Sequence, residues 1–347
     1  MSKYFLLVIM LGGSMLSGAQ IGSSITDNYY PLLRNAFVET NAYQTVSFVE
    51  QRWRIAGNTG FNESIFYLEK ILQHAGYRKE IKDEKEAALT YRIESRKMKK
   101  PTWEPLRASL AIEGETQPLL QFATNKNMLA INSASTLAAG ETAEVVYVGK
   151  GTLKDLEGKN VKGKIVFGEN NAGRLYNHAI QAGAVGVLAY SVPVYNQPEK
   201  YINSIQFQQI EYSDSIKQKW CIMLSYSAKE KLLAALAKGT LRVHVAIAAR
   251  IYRADELTIV ANARGTIIPN ERFVFSAHVQ EPGANDNATG VGTLAEMARV
   301  TAQLIQQQKF SPQRTITFLW GDEIISTGRY INEDTGRAKR DPVGAQS

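Results

Sequence analysis

The chain has 347 residues, 44% hydrophobic and 21% charged, ordinary proportions for a globular protein and length enough for two domains with a large core. The 40 lysines and arginines outnumber the 33 aspartates and glutamates, for a net charge of +7. The basic residues are dispersed, and their densest run (Arg92, Arg96, Lys97, Lys99, Lys100) encloses Glu94 and lacks interleaved aromatics, which argues against a nucleic-acid surface.

Residues 1–19 read as a signal peptide. Lys3 supplies the positive start, Tyr4 to Leu16 an apolar core too short and glycine-broken to span a membrane comfortably, and Ser17-Gly18-Ala19 a small-residue cleavage site. The expectation is an exported protein, periplasmic or extracellular, with no membrane attachment after cleavage. Cys221 is the one cysteine and lies in an apolar run, Trp220 to Leu224; it reads as a buried thiol, and no internal disulfide can form.

From Thr26 to Gly76 the apolar spacing is helical, with Leu32, Leu33, Phe37, Val46, Phe48, Val49 and Trp53 placed for a buried face. A second helix is predicted to start at Asn62, to run from Ile65 to His74 and to end at Gly76; His74 there complements the helix dipole. Lys82 to Ala134 is strand-like, with alternation over Leu106 to Ile112 and Leu119 to Ala123. A glycine-punctuated stretch follows. His178 sits on its helix with no acid or histidine three or four residues on, so a ligand role is not expected. In Leu241 to Ile247 the apolar residues share one face, which turns His244 outward beside Arg242. Strands are predicted over Leu257 to Ala263 and Arg272 to Ala277, with Pro269-Asn270 in the turn between them. A helix is expected from Asn287 to Gln307, a strand from Arg314 to Trp320 and a helical segment from Ser326 to Asp334. This alternation argues an α/β fold, a mainly parallel sheet flanked by helices, with its site at the carboxyl ends of strands.

At those ends stand His278, closing an apolar strand, Asp286, eight residues on at a helix entry, and the pair Asp322-Glu323 after the next strand. One histidine and three acids converging from two strand ends make a metal-site pattern. A zinc hydrolase needs imidazole and carboxylate ligands, an open position for water and a carboxylate left free as base. The histidine favours zinc over magnesium, and no cysteine is near enough to supply a thiolate.

The motif Gly283-Ala-Asn-Asp-Asn-Ala-Thr-Gly290, with His278 before it and Asp322-Glu323 after it, resembles metallopeptidase family 28, the co-catalytic zinc aminopeptidases and their carboxypeptidase relatives. Arg52 to Gly60 is similar to the N-terminal region of its members. The resemblance implies a site with two zinc ions: His278 on one, Asp286 bridging, Glu323 on the other, and Asp322 as the general base for a bridging water. It implies an aminopeptidase-type exopeptidase acting on peptide substrates. The glycine-marked run between Ala143 and Tyr190 resembles a protease-associated domain, placed at 135–245, which would divide a peptidase domain into 20–134 and 246–347.

Three departures from the family pattern stand out. Gln280 occupies a position where members usually carry Asp, with Glu281 beside it. The base position holds Asp322 in place of the usual Glu. Two further ligands, an Asp and then a His, should follow, and the segment after Glu323 contains no histidine; only Asp341-Pro-Val-Gly344 offers a partial match. The expectation is a C-terminally truncated metallopeptidase with little activity of its own. The alternative is a catalytically inactive peptide-binding protein on the same scaffold. The sequence leaves residue preference and oligomeric state open.

Overall fold

The structure, a computed structural model, describes residues 25–81, 87–215 and 217–340. The predicted signal peptide and Asp341 lie outside the described residues. Three helices open the described chain: α1 (Ile25–Ala36), α2 (Glu39–Glu50) and α3 (Thr59–His74). Then come β1 (Arg78–Lys79), β2 (Leu89–Lys97), β3 (Thr102–Ile112), β4 (Leu120–Gln121) and β5 (Glu141–Tyr147). The middle holds α4 (Leu153–Leu156), β6 (Ile165–Gly168), α5 (Ala172–Gln181), β7 (Gly186–Ala189), β8 (Trp220–Met223), α6 (Tyr226–Leu236) and β9 (Arg242–Tyr252). The chain continues through β10 (Asp255–Ala263), β11 (Ile268–His278), α7 (Thr289–Gln306), β12 (Arg314–Gly321) and α8 (Ile325–Arg340). Among the described residues no helix is long and apolar enough to cross a membrane.

The helical start differs from its sequence reading in two ways. The second predicted helix begins earlier, at Thr59, because Asn58 rather than Asn62 caps it, its side chain accepting from the Phe61 N–H at 2.9 Å. Leu33, expected inside, is exposed, while Val49, Trp53, Phe61, Ile65 and Leu68 are buried.

The strands form two sheets. The first has the order β1-β2-β10-β12-β11, and its pairings are evenly divided: β1/β2 and β11/β12 are parallel, β2/β10 and β10/β12 antiparallel. The sheet is therefore mixed, not mainly parallel. The reason lies in the connections. A short link, residues 264–267, joins β10 to β11 and reverses direction, whereas α7 carries the chain from β11 back to a parallel neighbour, β12. Pro269 and Asn270 are not in that link. They lie inside β11, at a break in register between Ile268 and Arg272, on an edge strand where a residue without an N–H is tolerated.

One face of this sheet packs Ile259, Ala261, Phe318 and Trp320 against Phe61, Ile65 and Leu68 of α3 and Val291, Leu294 and Ala298 of α7. On the other face Val260 and Leu319 meet Tyr330 of α8. The second sheet has the order β4-β3-β9-β5-β6-β7-β8. Its core runs through Phe167, Leu175, Tyr176, Leu188, Trp220 and Val243. The sheet draws on β3 and β4 as well as on strands within 135–245. The two sheets meet around Trp53, whose ring sits edge-on to Trp103 at 5.4 Å, and where Thr102 Oγ1 donates to the Ala56 carbonyl at 2.7 Å.

Candidate metal centre

β11 and β12 run side by side in register, with His278 opposite Gly321. The residues that follow each strand therefore leave the sheet at the same rim, and the Val279 N–H still reaches the Gly321 carbonyl at 2.8 Å. Gln280 then turns its side chain across the gap, its Oε1 accepting from the Glu323 N–H at 2.7 Å. This ties the two strand ends together just beyond the last ladder bonds.

The segment after Gln280 has an irregular backbone. Glu281 has φ +83°, a region that side chains other than glycine rarely adopt. Gly283 has φ +92° with ψ 179°, a conformation open in practice to glycine alone. Asp286 and Asn287 then depart from helical dihedrals, with a cis peptide between them, before α7 begins. Asn287 Oδ1 accepts from the Gly290 N–H at 3.1 Å in the first turn of that helix. A Cβ at residue 290 would stand 2.1 Å from Asn287 Oδ1, so glycine is required for that approach. The helix thus starts at Thr289, two residues later than the sequence reading placed it, and the residues in between aim Asp286 at the rim.

His278 Nε2 lies 3.0 Å from Asp286 Oδ1. Glu281 joins them: each of the three side chains offers one ligand-type atom, and these atoms lie within 4.8 Å of one another. Atoms bound to one zinc at about 2.0–2.2 Å lie about 3–4 Å apart, so a small closure would seat an ion. One imidazole with two carboxylates is also a donor set that zinc accepts. The three residues present therefore fit one such ion. The His278 Nδ1 is buried with no hydrogen-bond partner.

Asp322 and Glu323 reach the same rim, but Glu323 is exposed and stays outside the group of three. The Asp322 carboxyl is half-buried, and its pKa is pushed up from 3.8 to about 6, first by burial and then by the charge of Glu256. Glu281 is also pushed up, by burial and then by the Asp286 carboxylate. A small network backs Asp322. Its N–H donates to Ser326 Oγ at 2.8 Å, and Ser326 Oγ donates to Glu256 Oε1 at 2.6 Å. Arg329 Nη1 lies 3.1 Å from Glu256 Oε2, and its Nη2 donates to Thr258 Oγ1 at 2.9 Å.

Of the residues singled out from sequence, His278 and Asp286 come together, Asp322 and Glu323 stand beside them, and Glu281 enters the group instead of Glu323. Sequence reasoning missed Arg54, Glu256, Ser326 and Arg329. Arg54 is fully buried; burial lowers its pKa to about 10. An arginine inside the Arg52–Gly60 stretch and a glutamate interrupting the apolar β10 strand were the available signals. The other histidines serve locally. His178 Nδ1 contacts the Gly151 carbonyl at 3.1 Å. His244, expected to be exposed, is partly buried and contacts Thr142 Oγ1 at 2.9 Å, its cross-strand partner on β5.

Residues 258–323 match the sequence model described as Peptidase family M28. The matched segment is similar to that family. It contains β11, the irregular turn, α7 and β12, and so all four residues of the sequence-derived site. A search of curated proteins finds no match. Among solved structures, the peptidase M28 precursor from Shewanella amazonensis SB2B is similar at 17% identity with a TM-score of 0.63, covering 89% of this chain and 71% of that one. The aminopeptidase from Aneurinibacillus sp. strain AM-1 is similar at 20% identity and TM-score 0.53, over 87% of this chain and 68% of that one. The zinc aminopeptidase from Bacillus subtilis is similar at 19% identity and TM-score 0.57, over 85% of this chain and 65% of its own length. At these identities the likeness is one of fold. The chain is an α/β protein of zinc-aminopeptidase-like fold.

Proposed function

We propose that this chain is an exported, zinc-dependent exopeptidase of aminopeptidase type. The observation that carries this reading is the convergence of His278 and Asp286 at 3.0 Å on the rim where Asp322 ends the adjacent parallel strand. Zinc, when bound, supplies a Lewis acid that acidifies water and polarises a peptide carbonyl. His278 and Asp286 would hold it, with Glu323 as the further ligand that the family pattern implies. Asp322 is placed to hold a proton: its half-buried carboxyl, shielded from bulk water and facing the charge of Glu256, retains a proton more readily than an exposed aspartate. Residues 1–19 support export, since their charge and apolar pattern are those of a secretory signal.

The test is zinc content by mass spectrometry, beside turnover of an aminoacyl chromogen with and without chelator. Bound zinc with chelator-sensitive release of the amine supports the proposal. Zinc-free protein with no turnover would remove it.

A second reading is favoured by Gln280 and Asp322, the two departures from the family pattern at the site itself. It is a peptide-binding protein on a peptidase scaffold that no longer turns substrate over. Peptide binding that survives Asp322→Asn, with no turnover in either form, would favour this second reading.

A further inference from the structure

Glu281 has no part in the family pattern, yet it is the residue that joins His278 and Asp286. Three features of the chain place it there. First, Gln280 is occupied elsewhere. Its side chain is spent on the Glu323 N–H at 2.7 Å, so it leaves the position beside the histidine to its neighbour.

Second, the Glu281 backbone is held in an unfavourable region by a dedicated clamp. Its N–H donates to the Arg54 carbonyl at 2.7 Å. The Arg54 guanidinium, itself fully buried, donates to the Val279 carbonyl at 2.6 Å and to the Gly283 carbonyl at 3.0 Å. One arginine therefore grips the turn before, at and after Glu281. A non-glycine residue at positive φ costs about 1–3 kcal/mol and persists only where its surroundings over-determine it.

Third, Arg54 directs its donors to carbonyls, those of Val49, Arg52, Val279 and Gly283, rather than to the Glu281 carboxylate. The guanidinium thus shapes the turn while its donors stay on backbone carbonyls, leaving the carboxylate oxygens of the acid free of it. The acid is left facing an imidazole and a second carboxylate, an arrangement that a divalent cation relieves.

We propose that Glu281 is a metal ligand, completing a His278–Glu281–Asp286 site for one zinc-type divalent ion, with Arg54 as the positioning residue that holds it. Three protein ligands and an open fourth position are the arrangement of a catalytic rather than a structural zinc. The proposal rests on the metallopeptidase reading for the kind of ion, but its test does not require turnover.

The full chain is stripped with chelator and titrated with zinc against a chromophoric competitor. The unaltered protein is compared with Glu281→Gln, Glu323→Gln and Arg54→Lys, with urea midpoints recorded for each. Glu281→Gln keeps size and shape and removes the ligating charge; it is expected to weaken zinc binding by about 100-fold with its urea midpoint preserved. Arg54→Lys keeps all three ligands and loosens the clamp, for a loss of about tenfold. With cobalt in place of zinc, the visible spectrum should change in Glu281→Gln. Zinc affinity unchanged in Glu281→Gln overturns the assignment. A larger loss in Glu323→Gln than in Glu281→Gln overturns it too, by giving the third position to Glu323. So does an unaltered chain that binds no zinc. Failure of peptidase turnover with zinc affinity dependent on Glu281 would instead defeat the aminopeptidase reading and leave this site standing.

Discussion

In the seven-stranded sheet every conspicuous side chain has a local use. His178 meets the Gly151 carbonyl, His244 meets Thr142, and Cys221 is sealed in the core, its thiol pKa pushed up by burial. At the rim of the five-stranded sheet the opposite holds. His278 has an unpartnered buried Nδ1, Asp286 stands at its other nitrogen with Glu281 close by, and the pKa values of both Glu281 and Asp322 are pushed up. The histidines that serve only the fold are each paired with a neighbour. Groups left in mutual conflict at the ends of parallel strands mark the site. The comparison teaches that residue type is a poor guide, since histidines occur in both regions, and that unresolved charge is a better one.

The sharpest way to break this contrast is Asp322→Asn. Turnover by the zinc-loaded protein should fall by about 10²- to 10⁴-fold with zinc content unchanged, because a base is lost and no ligand is. Near-normal kcat would pass the role to another group at the rim. The reciprocal experiment is Phe167→Ala in the centre of the other sheet. Phe167 is fully buried, so about 3–5 kcal/mol of stability should be lost in urea unfolding while zinc affinity of the folded fraction is unchanged. A parallel loss of zinc affinity would mean that the two regions are not separable.

Arg329→Met probes the network behind Asp322. It leaves Glu256, 6% exposed, without its cation, and about 3 kcal/mol should be lost, measured by urea midpoint. The metal-free protein offers a subtler test through pH. The folded state raises the Asp322 pKa from 3.8 to about 6 and so favours the neutral acid. The stability this contributes is complete below about 3.8 and is lost as pH rises through about 6. Unfolding midpoints of chelated wild type and Asp322→Asn, which stays neutral throughout, should therefore diverge as pH rises from 3.8 to about 6, with wild type losing more, and run parallel above that. Curves parallel throughout that range would show the aspartate to be unperturbed. The smallest effect is expected for His244→Ala, which removes one hydrogen bond from a partly buried pair. About 1 kcal/mol or less should be lost, with zinc affinity unmoved.

Local pattern was enough for much of this protein. Apolar periodicity placed the strands later assigned as β10, β11 and β12 and the buried stripe of α7, because burial on a sheet or helix repeats at fixed intervals in the chain. The short-range motif Gly283 to Gly290 disclosed His278 and Asp286 because they sit eight residues apart, where the turn that joins them is itself encoded. Strand direction was not legible: the mixed sheet depends on which strand β10 finds as its neighbour, and only packing decides that. Nor was the clamp. Arg54 lies far from Val279 and Gly283 in the chain, and no periodicity connects a buried guanidinium to carbonyls that must first fold around it. The exchange of Glu281 for Glu323 in the group around His278 was hidden for the same reason. Both acids are near neighbours of ligand-type residues in sequence, and only the positive φ of Glu281 turns its side chain toward the histidine.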